Sequence, residues 1–139
     1  MDKSSDVEIR IITSADTAEV VCLYKSAGWW EEHYVAEAFI PGMVKNSTCF
    51  AGAFDHDRMI GMGRAVSDNV SDAYIQDVVV LDEYRGRGIG GEIVKVLIRE
   101  LKVKGIDWIG LIGEPGTEAF YAHLGFETLE DFVPMKLKE

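Results

Sequence analysis

Cysteine is scarce in this sequence, which has only Cys22 and Cys49 among its 139 residues. Both lie in apolar surroundings without the spacing of metal ligands, so we expect buried free thiols and no disulfide framework. No metal site is expected elsewhere. Asp55-His56-Asp57 contains ligand-type side chains, but three adjacent residues seldom converge on one ion, and a solvated turn is the favoured interpretation.

Long apolar runs are also missing. No stretch approaches the roughly 18 residues that cross a bilayer. The segment Met1–Asp6 is polar and lacks the apolar core of a signal peptide, so we expect a cytosolic (cytoplasmic) protein.

Basic residues are outnumbered, with 14 Lys and Arg against 24 Asp and Glu. The net charge of −10 argues against nucleic acid or an anionic membrane as partner and favours a cationic partner such as an amine.

The length and composition that remain are those of an ordinary globular protein. Apolar residues make up 47% of the chain and charged residues 27%, and 139 residues fit one domain with its own core. We therefore expect a single domain over residues 1–139, without repeats or linkers.

The hydrophobic pattern predicts a mixed α/β fold. The helix predicted between Ser14 and Gly28 should bury Ala18, Val21 and Cys22. The predicted elements are, in order, a strand at Val7–Ile12, a helix from its cap at Ser14 to near Gly28, a helix over His33–Ile40 that stops near Pro41-Gly42, strands at Thr48–Phe54, Met59–Val66 and Tyr74–Leu81, a helix from Ile89 to Gly105, a strand at Asp107–Ile112, a short helix between Pro115 and Gly125, and a last strand at Phe132–Leu137.

A glycine-rich loop, Arg85–Gly91, joins the most β-like stretch to the best helix. Such a loop exposes unpaired N–H groups and the positive end of the helix dipole, so phosphate or pyrophosphate is the expected ligand. Arg85 and Arg87 add positive charge to an acidic protein. A flexible connector is the alternative. A P-loop is excluded because no Gly-Lys-Ser or Gly-Lys-Thr ends the run.

The loop also satisfies the dinucleotide pattern, as Gly86-x-Gly88-x-x-Gly91, with Asp107 about 20 residues further on. Its context disagrees with that pattern. Four residues separate Leu81 from Gly86, and Asp107 precedes its strand where a ribose-binding acid should follow one. A dinucleotide-binding protein is therefore kept as an alternative only.

Two motifs resemble the GNAT superfamily of acetyltransferases. Arg85-Gly86-Arg87-Gly88-Ile89-Gly90 is similar to its cofactor signature, Gln/Arg-x-x-Gly-x-Gly/Ala, at the end of a hydrophobic strand. Phe120–Phe126 resembles its later helix, which ends in Tyr-x-x-x-Gly-Phe. The resemblance implies a mostly antiparallel sheet with splayed strands and about four helices. It also implies an acetyl-CoA-dependent N-acetyltransferase, without a metal, that acts on a primary amine through a direct ternary complex.

The family's cofactor contacts can be carried over residue by residue. The backbone of the strand before the loop would bind the acetyl group and pantetheine arm, and the Val78 N–H would face the developing oxyanion. The loop amides would cradle the pyrophosphate, with Arg85 bracing the loop and Arg87 nearer the phosphates. The resulting set is Val78, Val79, Val80, Arg85, Gly86, Arg87, Gly88, Ile89, Gly90 and Gly91.

Tyr121 matches the family tyrosine that protonates the coenzyme A sulfur, and its alternative role is that of an aromatic core residue. The family often has Asn seven residues earlier to contact the cofactor, where this sequence has the anionic Glu114. Two candidates for the general base remain, Asp77 and a water molecule that relays the proton. The alternative for Asp77 is a structural role, hydrogen-bonded to a neighbouring strand.

The acceptor is expected between the first two helices and the sheet. Trp29, Trp30, Glu31 and Glu32 lie at that junction, and aromatic rings with carboxylates suit a protonated amine. Simple packing is the alternative for the tryptophans. Relatives often form dimers, so the resemblance also favours a homodimer. A non-catalytic acyl-CoA-binding module on the same fold is the alternative to an enzyme.

Overall fold

The computed structural model describes residues 6–139, so most of the polar segment Met1–Asp6 lies outside the described residues. The mixed α/β architecture predicted from the hydrophobic pattern is confirmed. Its elements are β1 (Val7–Ile11), α1 (Thr17–Ala27), α2 (Ala36–Asn46), β2 (Cys49–Asp55), β3 (Arg58–Ser67), β4 (Asp72–Val80), a 3-10 turn (Asp82–Tyr84), α3 (Ile89–Val103), β5 (Trp108–Leu111) and α4 (Glu118–Ala122).

The five strands form one sheet in chain order. Strands β1 to β4 are antiparallel neighbours, and the predicted hairpin between β2 and β3 is confirmed. Strand β5 joins β4 in parallel, and the last paired residues are Ile75 and Leu111. Beyond this pair β4 continues to Val80 without β5 beside it, so the two strands splay apart.

Helix α3 crosses the sheet and supplies much of the core. Its apolar stripe is buried, and the helix lies against β2, β3 and β4. Gly63 on β3 permits this close approach, because a Cβ there would lie 2.8 Å from Cγ2 of Ile93. The buried side chains of the stripe are Ile89, Ile93, Val94, Leu97 and Leu101.

Helix α1 differs from its prediction in both its cap and its buried face. Its N-cap is Asp16, not Ser14, and the Asp16 carboxylate accepts a hydrogen bond from the Glu19 N–H at 3.1 Å, as an N-cap side chain should. The buried residues are Val20, Leu23 and Tyr24, not the predicted face through Cys22. The larger side chains, three and four positions apart, set the face that packs.

The prediction that the second helix stops near Pro41 is wrong. Helix α2 runs through Pro41 and ends at Asn46. Proline removes one backbone donor and costs about 3 kcal/mol in a helix interior. Ile40 and Val44, one turn apart, are both buried, and burying each contributes about 1.5–3 kcal/mol. This tertiary packing offsets the local cost.

The predicted last strand at Phe132–Leu137 is also wrong. These residues have no regular structure, and Phe132 and Val133 are exposed.

The expectation of two buried thiols holds only for Cys49, because Cys22 on α1 is exposed. Both cysteines are free. Within residues 6–139, no helix has the length and apolar character needed to cross a membrane.

Candidate functional site

Strand β4 breaks its regular pairing beside the splay. The register passes from Met62 opposite Val79 to Arg64 opposite Gln76, so one residue of β3 faces two of β4. A bulge of this kind re-aims the backbone next to it. Asp77, at the bulge, has a φ of +58°, which is uncommon for a residue with a side chain. Val78 follows it at the point where β5 has already ended.

Three elements meet at the Asp77 carboxylate. The Tyr24 hydroxyl of α1 donates a hydrogen bond to it at 2.6 Å, and Arg64 Nε of β3 donates one at 2.7 Å. Arg64 also donates to the Gln76 side chain at 3.1 Å. Burial, followed by the hydrogen bond to Asp77, raises the Tyr24 pKa far above its ordinary value. Asp77 is therefore hydrogen-bonded to the neighbouring strand β3, which is the structural role given above as the alternative to a general base.

A cavity of about 300 Å³ opens where β4 and β5 separate. The bulge forms one wall and the end of β5 forms another, while the segment just after α1 and helix α4 contribute single aromatic side chains. Its lining includes Trp29, Asp77, Val78, Ile112, Glu114 and Tyr121. The structure thus brings together three predicted residues: Trp29 after the end of α1, Val78 on β4 and Tyr121 on α4.

Tyr121 lies on α4 and is half-buried at the cavity. Its ring meets Phe120 edge to face at 4.8 Å between centroids and Phe126 at 5.8 Å. Burial raises the Tyr121 pKa above its ordinary value, and the charge of Glu114 adds to the shift. The phenol is thus protonated at neutral pH, which is the state of a proton donor.

Glu114 is a cavity residue that the sequence pattern did not identify. It follows β5, and its Oε1 accepts a hydrogen bond from the Trp29 indole N–H at 3.2 Å. The contact joins residues 85 positions apart, so no local pattern could have revealed it. The only sign of this role in the sequence is that Glu114 occupies a position where the family often has Asn.

The other predicted acceptor residues are not part of the cavity lining. Trp30 packs edge to face against Tyr34 and Phe39, at 5.2 and 5.9 Å between ring centroids. Glu31 and Glu32 are exposed. None of the three predicted residues Trp30, Glu31 and Glu32 lines the cavity.

The glycine loop ends in a helix start with free donors. Gly86 and Gly88 have φ of +80° and +78°, a conformation that glycine adopts without cost. Helix α3 begins at Ile89 without a side-chain cap. Among the hydrogen bonds of the described turns and loops, none has a backbone donor between Gly86 and Gly91. These amides and the helix dipole fit an anionic phosphate group.

The two loop arginines make different contacts. Arg85 Nε donates to the Val80 carbonyl at 3.1 Å, and its guanidinium pairs with Asp82 at 3.1 Å. Arg87 donates to the Glu83 carbonyl at 3.2 Å and lies 5.1 Å from the Tyr84 ring centroid. Arg85 thus fastens the loop to the end of β4, while Arg87 lies along the loop itself.

The acidic loop at Asp55-His56-Asp57 forms the hairpin turn. Asp55 pairs with His56 at 2.9 Å and accepts a hydrogen bond from the Tyr84 hydroxyl. These two hydrogen bonds lower the Asp55 pKa. Within the described part of the chain, no three His, Cys, Asp or Glu side chains are grouped as metal ligands.

Comparison with known proteins agrees with this geometry. The family model described as the Acetyltransferase (GNAT) family matches residues 15–126. A protein named "Uncharacterized N-acetyltransferase ycf52-like" from Prochlorococcus marinus is 33% identical over 123 residues, which are 86% of this chain and 66% of that protein. This chain spans no more than about two-thirds of the length of the curated relatives it matches.

Solved structures show the same architecture. A GNAT-family acetyltransferase from Streptococcus pneumoniae TIGR4 superposes with a TM-score of 0.82 at 26% identity, covering 96% of this chain and 98% of that one. A structure titled as AAC(6')-Iy with a bisubstrate analogue of coenzyme A has a TM-score of 0.75 at 18% identity, over 95% and 98% of the two chains, and shows the fold alone. With its family model matched over most of its length, the chain belongs to the acetyltransferase (GNAT) family.

Proposed function

We propose that this protein transfers the acetyl group of acetyl-CoA to the primary amine of a cationic small molecule or peptide, in a direct ternary complex. The observation that carries the proposal is the cavity at the splay. It adjoins a re-aimed strand backbone at Val78, a protonated phenol at Tyr121 and a carboxylate at Glu114. Acyl transfer to an amine needs a donor to the carbonyl oxygen, an acid and a proton acceptor.

The cofactor site runs from the cavity to the glycine loop. When bound, acetyl-CoA supplies a thioester whose carbonyl carbon the amine nitrogen attacks. The backbone from Val78 to Val80 would hold its pantetheine arm, because β5 no longer pairs with β4 there. The free amides from Gly86 to Gly91, including those of Ile89 and Gly90, would bind the pyrophosphate. The structural neighbour titled with a coenzyme A analogue supports this cofactor class.

Val78 and Tyr121 would act on two different atoms of the thioester, the carbonyl oxygen and the sulfur. The Val78 N–H would donate to the carbonyl oxygen, which gains negative charge as the amine nitrogen bonds to the carbon. The Tyr121 hydroxyl would give its proton to the sulfur as the carbon–sulfur bond breaks. The bound ammonium group loses one proton to become a nucleophile and a second proton when the amide forms. One of these replaces the proton that Tyr121 gives to the sulfur, and the other is released to solvent.

Glu114 is the better candidate to receive the amine. Asp77 also lines the cavity, but its carboxylate is neutralised by Arg64 at 2.7 Å and hydrogen-bonded to Tyr24. Glu114 makes no ion pair among the described residues, and its described side-chain partner is the neutral Trp29 indole. A free carboxylate beside an aromatic ring attracts an ammonium group. Glu114, directly or through a water, would then take the amine proton.

The test combines cofactor binding with turnover. Acetyl-CoA should raise the melting temperature of the wild-type protein, since a ligand that binds only the folded state stabilises it, while NAD and NADP should not. A panel of primary amines should then release free thiol from acetyl-CoA. Stabilisation without thiol release from any amine would leave only the non-catalytic module. Stabilisation by NAD alone would contradict the cofactor assignment.

A further inference from the structure

One carboxamide side chain lies in the wall of the cavity. Gln76 is on β4, one residue before Asp77 at the bulge, and it lines the cavity together with Glu114 and Tyr121. A carboxamide offers two different groups to a ligand, an oxygen that accepts hydrogen bonds and an NH2 group that donates them. Which of the two faces the cavity decides which ligand groups can bind there.

Arg64 fixes the orientation of this carboxamide. Arg64 Nη2 lies 3.1 Å from Gln76 Oε1, across the paired strands β3 and β4. A guanidinium group has only donors, so the group that faces it must be the oxygen, and the reversed amide would place two donors against each other. Arg64 is itself held in place, because its Nε donates to Asp77 at 2.7 Å and its side chain is only 18% exposed.

The NH2 group of Gln76 is therefore the part that remains for a ligand. Within residues 6–139 it has no hydrogen-bond partner, since the contact with Arg64 uses the oxygen. The cavity thus presents two groups of opposite kind. Glu114 offers a negative charge and accepts hydrogen bonds, as it does from the Trp29 indole, whereas Gln76 is neutral and offers donors.

We propose that Gln76 selects acceptors in which the primary amine is accompanied by a neutral oxygen, a carbonyl or a hydroxyl, that accepts a hydrogen bond from its NH2 group. This inference rests on the proposed acetyl transfer, in which Glu114 receives the amine. An alkylamine of the same shape would displace water from the Gln76 NH2 group and give it no partner in return, which weakens binding. Gln76 is then a specificity residue, and Arg64 is the residue that positions it.

The oxygen should belong to a neutral group and not to a carboxylate. The net charge of the chain is −10, and the cavity carboxylate of Glu114 adds a local negative charge that repels another anion. The positive charge behind Gln76 does not compensate, because Arg64 is already paired with Asp77. Amino amides and amino alcohols meet these conditions, and zwitterionic amino acids do not.

Matched pairs of amines test the preference in the wild-type protein. Glycinamide and β-alaninamide carry a carbonyl oxygen, and isobutylamine and isopentylamine have the same shapes without it. Ethanolamine and propylamine are the corresponding pair for a hydroxyl oxygen. For at least one pair, the oxygen-bearing amine should have a kcat/KM for thiol release about tenfold above that of its apolar match, the effect of one hydrogen bond. Glycine should be a poorer substrate than glycinamide.

Substitutions at Gln76 show whether its NH2 group causes the preference. Gln76→Glu keeps the size and the oxygen that faces Arg64 but replaces the donor by an acceptor, and Gln76→Met keeps the length without a donor. Both should lower the ratio of the two kcat/KM values about tenfold, mainly through the acceptor KM. The intrinsic reactivity of each amine is the same in every variant, so it cancels from this comparison.

Tyr74→Phe, which loses a hydroxyl on the same strand and in the same cavity, is the matched control and should keep the wild-type ratio. A structural role for Gln76 would lower both amines of a pair equally and leave the ratio unchanged, which would overturn the proposal. Loss of the preference in Tyr74→Phe, a wild type that uses both members of every pair equally, or a preference for glycine over glycinamide would also overturn it and leave acetyl transfer intact. Absence of thiol release from any amine would instead remove both proposals.

Discussion

Arg64 Nε lies 2.7 Å from Asp77 Oδ2, across the bulge at which β4 leaves its regular pairing. The left-handed backbone at Asp77 costs roughly 1–2 kcal/mol for a residue with a side chain. The ion pair and the hydrogen bond from Tyr24 offset this cost and hold the bulge in place. The same contacts fix the direction of the Val78 backbone, so the stability of the bulge and the geometry of the cavity depend on one cluster.

This cluster predicts a non-additive effect on stability. Arg64→Met should lower the free energy of unfolding by about 3 kcal/mol, because it leaves a partly buried carboxylate without its counter-charge. Adding Asp77→Asn should recover part of the loss, since Asn tolerates the left-handed region and carries no charge. Urea denaturation of the single and double variants measures the coupling. Strictly additive losses would show that the two side chains do not interact energetically.

The glycine loop yields a prediction about cofactor binding. Gly88→Asp should weaken acetyl-CoA binding at least about 100-fold, because a carboxylate would stand among amides that each contribute about 1.5–3 kcal/mol to a charged ligand. An added Cβ at Gly88 meets nothing within 4 Å, and a side chain at this positive φ costs only about 1–2 kcal/mol in strain, so the fold should persist. Gly105→Asp, at the other end of α3 with a similar φ of +84° and equal space, is the matched control. Calorimetric titration should separate the two variants; equal affinities would contradict the loop assignment.

Tyr121 should contribute to turnover and not to cofactor affinity. Tyr121→Phe should lower kcat by about 10²-fold, the scale of general acid catalysis. The ring and its contacts with Phe120 and Phe126 are kept, so packing should change little. Tyr74→Phe removes a hydroxyl from another tyrosine of the same cavity and should leave kcat near wild type. If the two variants behave alike in steady-state assays, Tyr121 is a packing residue.

Local patterns predicted the parts of the fold that depend on neighbouring residues. The stripe of α3 and the loop before it are contiguous, so Ile93, Leu97 and the glycines could be assigned from spacing alone. The path of α2 through Pro41 could not be predicted, because burial of residues beyond the proline decides it. The contact of Trp29 with Glu114 spans 85 positions and depends on the completed sheet.

The pKa of Tyr121 predicts a pH dependence. Burial and the Glu114 charge raise this pKa above 10.0, and an acid must be protonated to act, so the alkaline fall in kcat/KM should begin only above about pH 10. Glu114→Gln removes a negative charge that favours the protonated phenol. The Tyr121 pKa should therefore drop, and the alkaline limb of the profile should move to lower pH. Tyr121→Phe should lack this limb, and a limb that moves upward in Glu114→Gln would contradict the assignment.

Acceptor recognition should divide between contact at Glu114 and long-range attraction at Glu31 and Glu32. Glu114→Gln should raise the acceptor KM about tenfold or more, the loss of one charge-assisted hydrogen bond. The KM for acetyl-CoA should stay nearly constant.

Glu31 and Glu32 are exposed outside the cavity, so they can act only through a field that salt screens over about 10 Å at 0.1 M. Glu31→Gln/Glu32→Gln should therefore raise the acceptor KM severalfold at low salt and weaken its salt dependence. The effect of Glu114→Gln should persist at high salt, because a direct contact within a partly enclosed site is screened less. Steady-state kinetics at two ionic strengths distinguishes the roles. If the paired substitution changes neither quantity, Glu31 and Glu32 are solvated surface residues, and the acceptor is recognised within the cavity alone.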